Sequence, residues 1–143
     1  MNDIRPAEGS GSGGASPSAF VATGISASLT VNDLAKSVAW YRDVLGFTVE
    51  REFERGGVPF ATRLSAGTVA LLVTQDTGAK GRDRVKGEGF SLRITTRQNI
   101  DDIAARARAG GATLESEPAD AWGARFFRLR DPDGFLLVIS SEQ

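Results

Sequence analysis

One order of predicted elements occurs twice along this sequence. Each copy begins with a strand of alternating apolar and polar residues, continues into a helix with an apolar stripe, and ends in three further strand-like segments. The first strands are Ile25 to Val31 and Phe90 to Thr95, and the helices follow Asp33 and Asn99, which are good N-cap residues. The remaining predicted strands are 47–54, 58–65 and 68–74 in the first copy, and 112–116, 124–130 and 135–140 in the second. A repeat this close in so short a chain predicts two similar modules related by a pseudo-twofold axis.

The repeat predicts a single domain of the α+β class. With 143 residues, the chain is long enough for one sizeable core and too short for two ordinary domains. We predict one domain over residues 21–143, with βαβββ module one at 21–76 and βαβββ module two at 88–141. The two modules are expected to form a cupped mixed sheet, whose concave surface is called the cup below. Residues 1–20 are Gly/Ser-rich with little apolar content, and are expected to form a disordered tail rather than a signal peptide.

The composition excludes several classes of site. The chain contains no Cys and no His, so disulfides, thiolate nucleophiles, imidazole metal ligands and Ser-His pairs are all ruled out. The formal net charge of -1 gives no basic excess for a nucleic acid. No apolar run approaches the roughly 20 residues that cross a bilayer. We therefore expect no nucleic-acid or membrane partner and a cytoplasmic location.

Three segments carry a family resemblance. Leu29 to Leu34 (LTVNDL) and Ser37 to Phe47 (SVAWYRDVLGF) lie in module one, and Arg130 to Leu137 (RDPDGFLL) follows Trp122-Gly123 in module two. Together they resemble the vicinal oxygen chelate (VOC) superfamily, which includes glyoxalase I, extradiol dioxygenases, fosfomycin-resistance enzymes and bleomycin-resistance proteins. The resemblance covers nearly the whole predicted domain and implies the glyoxalase-like fold. Its motifs mark the fold rather than one activity.

The positions that hold the metal in many VOC members carry poor ligands here. The resemblance places them at Ser26, at Gly89 or its neighbour Glu88, at Val138, and on the strand 68–74, which contains no acid. Serine, glycine and valine offer too little negative charge to offset the dehydration of a divalent cation. We therefore predict no metal, no cofactor and no catalytic residue. The acidic residues Glu50, Glu52 and Glu54 are interpreted as a solvated strand face.

Strand alternation predicts which residues line the cup. Alternate residues of a strand point to opposite faces, so the polar partners of the apolar core positions are expected to face the cup. The predicted ligand-binding residues are Ser26, Ser28, Thr30, Ser91, Arg93, Phe126, Arg128, Leu136 and Val138, with Trp122 at the cup mouth in a stretch, 119–123, that is expected to be a loop. On the first strand Ile25 is expected to face the core. Arginine binds carboxylate or phosphate in bidentate fashion and stacks on rings. The alternative is that Arg93 and Arg128 reach solvent or pair with Glu across strands.

These features predict a metal-independent small-molecule-binding protein similar to bleomycin-resistance proteins, sequestering an antibiotic or an aromatic or anionic metabolite. The alternative is a lyase or isomerase of the glyoxalase/dioxygenase type that acts without a bound metal, although no general base can be named. A third interpretation is a protein-interaction module with a vestigial cup. The resemblance also implies a homodimer, because VOC cups are built either between two subunits or between two modules of one chain.

Overall fold

The computed structural model describes residues 19–81 and 84–143. In chain order the elements are β1 (Ala27–Val31), α1 (Leu34–Trp40) with a π-helical continuation (Tyr41–Leu45), β2 (Thr48–Arg55), β3 (Val58–Ala66), β4 (Val69–Gln75), β5 (Ser91–Thr96), α2 (Ile100–Ala109), β6 (Leu114–Ala121), β7 (Ala124–Arg130) and β8 (Leu136–Ser141). The predicted disordered tail lies almost entirely outside the described residues. Neither described helix is long and apolar enough to cross a membrane.

The strands form two four-stranded mixed sheets of identical topology. Sheet A has the order β1-β4-β3-β2 and sheet B has the order β5-β8-β7-β6. In each sheet the first strand pairs in parallel with the last strand of its module, while the other pairings are antiparallel. The predicted α+β class with two βαβββ modules is therefore confirmed.

Local chemistry fixes where the helices begin and end. The Asp33 side chain accepts a hydrogen bond from the Lys36 backbone N–H at 3.1 Å, and Asn99 accepts one from Asp102 at 2.9 Å. Both bonds satisfy N–H groups that a helix terminus leaves unpaired. At the end of the first helix Gly46 adopts a φ of 82°, a left-handed conformation that glycine reaches without steric cost.

The inner faces of both sheets share one hydrophobic core. Leu29 and Val73 of sheet A and Leu129 and Leu137 of sheet B belong to the same buried cluster, with the two helices between the sheets. The Tyr41 hydroxyl crosses the module boundary and donates to Asp131 Oδ2 at 2.8 Å. The other face of each sheet, called its outward face, consequently points away from the core. Within one chain the two outward faces lie on opposite sides of the molecule.

Two predictions about the strands are wrong. Ile25 was predicted to face the core but is fully exposed, because strand pairing begins only at Ala27, opposite Leu71. The stretch 119–123 was predicted to be a loop, but β6 continues to Ala121. This strand lies at the edge of sheet B, where Pro118 removes no necessary ladder hydrogen bond. Trp122 therefore lies in a tight hairpin turn.

The segment between the modules is anchored at its start. Asp76 follows β4 and is buried, and its carboxylate accepts hydrogen bonds from Lys86 Nζ and from the Gly78 backbone N–H. The Lys86 side chain is equally buried. This ion pair joins Asp76, at the start of the connecting segment, to Lys86, near its end. The contact therefore holds the two ends of the segment together.

Candidate ligand-binding site

Cross-strand register brings four predicted site residues together with Ser140, in two rows on the outward face of sheet B. In the first row, Val138 of β8 lies between Arg93 of β5 and Arg128 of β7. In the next row Ser140 pairs with Phe126. Directly opposed residues of neighbouring strands project to the same face, so these five side chains form one surface.

Phe126 lies at the centre of this surface. The guanidinium carbon of Arg128 lies 4.9 Å from the centroid of the Phe126 ring, and that of Arg93 lies 5.7 Å from it. These distances are within the range of cation–π attraction. The two side chains cover the ring so that Phe126 is only 7% exposed. This attraction favours a position of each guanidinium near the ring.

The guanidiniums of Arg93 and Arg128 have no carboxylate within 4.0 Å among the described residues. By contrast, the neighbouring Arg130 pairs with Glu115 at 2.6 Å, and Arg125 pairs with Asp101 at 2.9 Å. The predicted alternative of Glu pairing across strands is therefore not observed for the two arginines over Phe126. Their positive charges remain available to an anion.

Ser140 orients one of these arginines. Its side chain is fully buried, and its hydroxyl accepts a hydrogen bond from Arg93 Nη2 at 3.0 Å while donating to the Ser141 carbonyl at 2.8 Å. Ser140 is not among the predicted ligand-binding residues. Alternation along β8 does place it on the same face as Val138, but the hydrogen bond depends on the reach of Arg93 from another strand.

Trp122 forms the edge of the site. Its indole is 81% exposed and stacks on Phe126, with ring centroids 6.4 Å apart and an interplanar angle of 15°. Trp122 and Gly123 have φ angles of 50° and 78°, the positive values that a two-residue hairpin turn of type I′ requires. Tryptophan pays a steric cost in this conformation, unlike the Asn or Gly usually found there. An exposed ring is thus kept at a strained position beside the arginines.

Sheet B also carries Ser91 and Leu136, which pair directly with each other at the start of β5 and β8. Ser28 and Thr30 lie on the outward face of sheet A instead, and Ser26 precedes β1. All three are exposed. The structure therefore brings the predicted residues of module two together and leaves those of module one on the opposite side of the same chain.

The donor set does not fit the divalent metal of other VOC members. Val138, at one of the expected ligand positions, lies directly between the cationic side chains of Arg93 and Arg128. Ser26 precedes β1 of the other module, and Glu88 is exposed in the connecting segment. Within the described residues, no group of three or more Asp or Glu side chains is placed to hold an ion. Two arginines beside the position would repel a cation, so no chemical step is assigned to a metal.

A groove lies between the modules, away from this surface. This groove has a volume of about 800 Å³ and is lined by apolar residues such as Phe47 and Ile139, with charged residues at its rim. Arg97 at the rim already pairs with Glu142 at 2.9 Å, and Arg106 lies against Gly46 at the end of the first helix. The groove is therefore the seam between the modules.

The fold and the motif positions define the class of protein. Residues 23–139 match the family model of the Glyoxalase/Bleomycin resistance protein/Dioxygenase superfamily. The chain belongs to this superfamily, which is the VOC family that the sequence motifs resemble.

Known relatives agree with this assignment. The chain is 31% identical over 123 residues to the uncharacterized protein YraH of Bacillus subtilis (strain 168), covering 78% of this chain and 91% of that protein. A glyoxylase/bleomycin resistance protein/dioxygenase domain from Frankia sp. EAN1pec superposes with a TM-score of 0.70 at 17% identity, covering 87% of this chain and 94% of that one. The virulence protein STM3117 from Salmonella typhimurium gives a TM-score of 0.67 at 21% identity, covering 87% and 100%. These two structures establish the fold alone.

Proposed function

We propose that this protein is a metal-independent VOC protein that binds an aromatic anionic small molecule and sequesters it, as a bleomycin-resistance-like binder of a metabolite or antibiotic. The observation that carries the proposal is the pair of guanidiniums, Arg93 and Arg128, that converge on Phe126 without a carboxylate partner in the described chain.

The chemistry of this pair favours an acid attached to a ring. A guanidinium that lies over a phenyl ring keeps N–H donors available in its own plane, and a carboxylate or phosphate can accept two of them. Trp122 offers an exposed aromatic surface at the edge of the same site. A large cationic drug would meet two like charges, so the proposed ligand is anionic.

The side chains on the outward face of sheet B favour binding over catalysis. Arg93, Val138, Arg128, Ser140 and Phe126 supply hydroxyl, guanidinium and apolar groups but no carboxylate that would act as a general base. Sequestration needs only affinity, whereas a lyase or isomerase needs a group that moves a proton. Mass spectrometry of the recovered ligand tests this directly. Unchanged ligand supports sequestration, and a converted ligand would establish the enzyme instead.

We also propose that the protein is a homodimer in the cytoplasm. The outward faces of sheets A and B are both open in one chain and lie on opposite sides of it. A second copy that covers these faces would enclose the ligand and remove it from water, which strengthens charged hydrogen bonds. Sedimentation equilibrium measures the oligomeric state.

The binding proposal is tested by calorimetric titration with naphthoate, a planar acid. Arg128→Gln and Arg93→Gln each remove one charge-assisted contact of about 1.5–3 kcal/mol, so the affinity is expected to fall by about tenfold to a hundredfold. The matched control is Arg97→Gln, at an 87% exposed arginine outside the site, which is expected to leave the affinity unchanged. Equal affinities for all four proteins, or no binding of naphthoate or any related aromatic acid by the natural chain, would contradict the proposal.

A further inference from the structure

The outward face of sheet B continues one row beyond the two arginines of the site. Ser91 of β5, Leu136 of β8 and Arg130 of β7 are directly paired, so they form the row next to the one that carries the guanidiniums. Ser91 is exposed and Leu136 is half-buried. Arg130 already donates to Glu115 at 2.6 Å and to the Gly134 carbonyl at 2.9 Å. This row, called the outer row below, therefore offers a hydroxyl and an apolar side chain beside an arginine that is paired.

The connecting segment borders the outer row. Residues 87–90 directly precede β5, and together with the outer row they line a cavity of about 540 Å³, which is called the segment pocket below. A Cβ atom at Gly87 would lie 2.8 Å from the Phe135 ring, so the segment packs closely against the residue before β8. The Phe90 ring meets Phe135 edge-on, with centroids 6.1 Å apart, and remains 43% exposed. The pocket thus has a packed wall with an available apolar surface.

The charges around the segment pocket disfavour a second acid group there. Lys86 is paired with the buried carboxylate of Asp76, and Asp133 accepts hydrogen bonds from two residues of module one. Glu88 is exposed in the wall of the pocket, where it would repel an anion. The pocket consequently suits a neutral and apolar part of a ligand.

The segment pocket and the Trp122 indole lie at opposite ends of the same face. The guanidiniums of the site lie against Phe126, on the side of their row that faces away from the pocket. Trp122 precedes β7 and stacks on Phe126. Successive rows on one face of a strand are about 6.6 Å apart, because each residue adds about 3.3 Å. Val138 and Leu136 form an apolar path across this distance, from the guanidiniums to the pocket.

We propose that the segment pocket is a second subsite for the ligand, and that it binds an uncharged apolar substituent carried on the carbon atom beside the acid group. This inference rests on the proposed function and defines the ligand class more narrowly. The ring of the ligand lies at Trp122, its acid group accepts from Arg93 and Arg128, and the substituent crosses Val138 to reach Leu136 and Phe90. An N-acylated aromatic amino acid has this arrangement of groups.

The ligand class is tested by calorimetric titration with N-acetyl-naphthylalanine and N-hexanoyl-naphthylalanine, which share one ring and one carboxylate and differ in the length of the acyl chain. The natural chain is expected to bind the hexanoyl compound at least tenfold more tightly, because the added methylene groups leave water in the segment pocket. Equal affinities would overturn this inference and leave the proposed function standing. Failure of the natural chain to bind naphthoate and both of these compounds would overturn the inference and the proposed function together.

A variant tests whether the preference arises in the segment pocket. Ser91 is exposed at the start of an edge strand, which accommodates an aromatic residue, and the larger side chain of Ser91→Phe occupies the pocket. The preference for the hexanoyl compound is expected to fall below threefold, while binding of the acetyl compound persists and shows that the variant is folded. Thr48→Phe, at an exposed position on the edge strand of sheet A, is the matched control and is expected to keep the preference. A full preference in Ser91→Phe would place the acyl chain elsewhere and overturn the inference.

Discussion

Single side chains determine the chemistry of the outward face of sheet B. Phe126 is nearly buried although it lies on the outward face, because the guanidiniums of Arg93 and Arg128 and the ring of Trp122 lie against it. Ser140 adds a fixed hydrogen bond to one of them. The site is thus assembled from residues whose side chains restrain one another, which lowers the entropy lost when a ligand binds.

Trp122 offers a test in which stability and binding change in different directions. Trp122→Asn replaces a strained residue by one that favours the turn, so the free energy of unfolding is expected to stay level or to rise by about 1 kcal/mol. Loss of the exposed ring is expected to weaken naphthoate binding roughly tenfold. Urea denaturation and calorimetry measure the two effects. Val85→Asn, at a 79% exposed apolar residue of the connecting segment, is the control for affinity. A destabilised Trp122→Asn variant with unchanged affinity would assign Trp122 a structural role.

The buried hydrogen bond between Tyr41 and Asp131 can also be tested by a single substitution. Burial raises the pKa of Asp131, while the Tyr41 hydroxyl and the backbone N–H groups of Phe135 and Asp133 lower it less strongly. Tyr41→Phe leaves the carboxylate with one donor fewer and is expected to destabilise the fold by about 1–3 kcal/mol in urea denaturation. Thr48→Val, which removes an exposed hydrogen bond to Ser65, is expected to cost far less. Equal effects of the two substitutions would show that the buried bond adds nothing.

The end of α2 packs closely against module one. A Cβ atom at Gly110 would lie 2.4 Å from the Asp43 carbonyl oxygen, so the helix of module two touches the backbone of module one there. Gly110→Ala is expected to destabilise the protein by about 1–3 kcal/mol, as overpacking of a core does. Gly24→Ala is the matched control, because nothing lies within 4 Å of its Cβ position. Thermal denaturation of both variants measures the difference. A neutral Gly110→Ala variant would show that the modules separate easily.

Asp76, in the connecting segment, is expected to make the free energy of unfolding depend on pH. The hydrogen bond from Lys86 and the backbone N–H of Gly78 hold the pKa of Asp76 at about 2. Because this folded-state pKa is below the ordinary value, the stabilisation is present above pH 4 and is lost as pH falls towards 2. Asp131, whose pKa is raised, acts in the opposite sense: its contribution is present at low pH and is lost as pH rises. Asp76→Asn is therefore expected to be less stable than the natural chain at pH 6 and to lose less stability on acidification. Parallel acid denaturation curves for the two proteins would contradict this.

The elements differ in how far the sequence predicts them. Simple alternation on β5, β7 and β8 was sufficient to place Arg93, Phe126 and Val138 on one face, because those pairings are regular. In β2 the register shifts between Val49 and Arg51. This irregularity brings Glu50 to the side of Arg63. Strict alternation puts Glu50 and Arg51 on opposite faces and does not predict that contact.

At the scale of the whole molecule, the repeat in the sequence predicts the two modules but not how they are arranged. Apolar periodicity identifies the buried face of each sheet, and the same pattern suits either a cup closed within one chain or one shared by two chains. The choice depends on contacts between distant segments, such as Tyr41 with Asp131 and Gly110 with Asp43. These contacts place the helices between the sheets and leave both outward faces open.

The most direct test of metal-independent binding is a calorimetric titration of naphthoate before and after dialysis against a chelator. Metal in the same samples is measured by mass spectrometry. The affinity is expected to be identical in both titrations, with far less than one metal ion per chain throughout. A tightly bound ion at one per chain, together with affinity that disappears on its removal and returns with nickel, iron or zinc, would contradict the role assigned to Arg93 and Arg128.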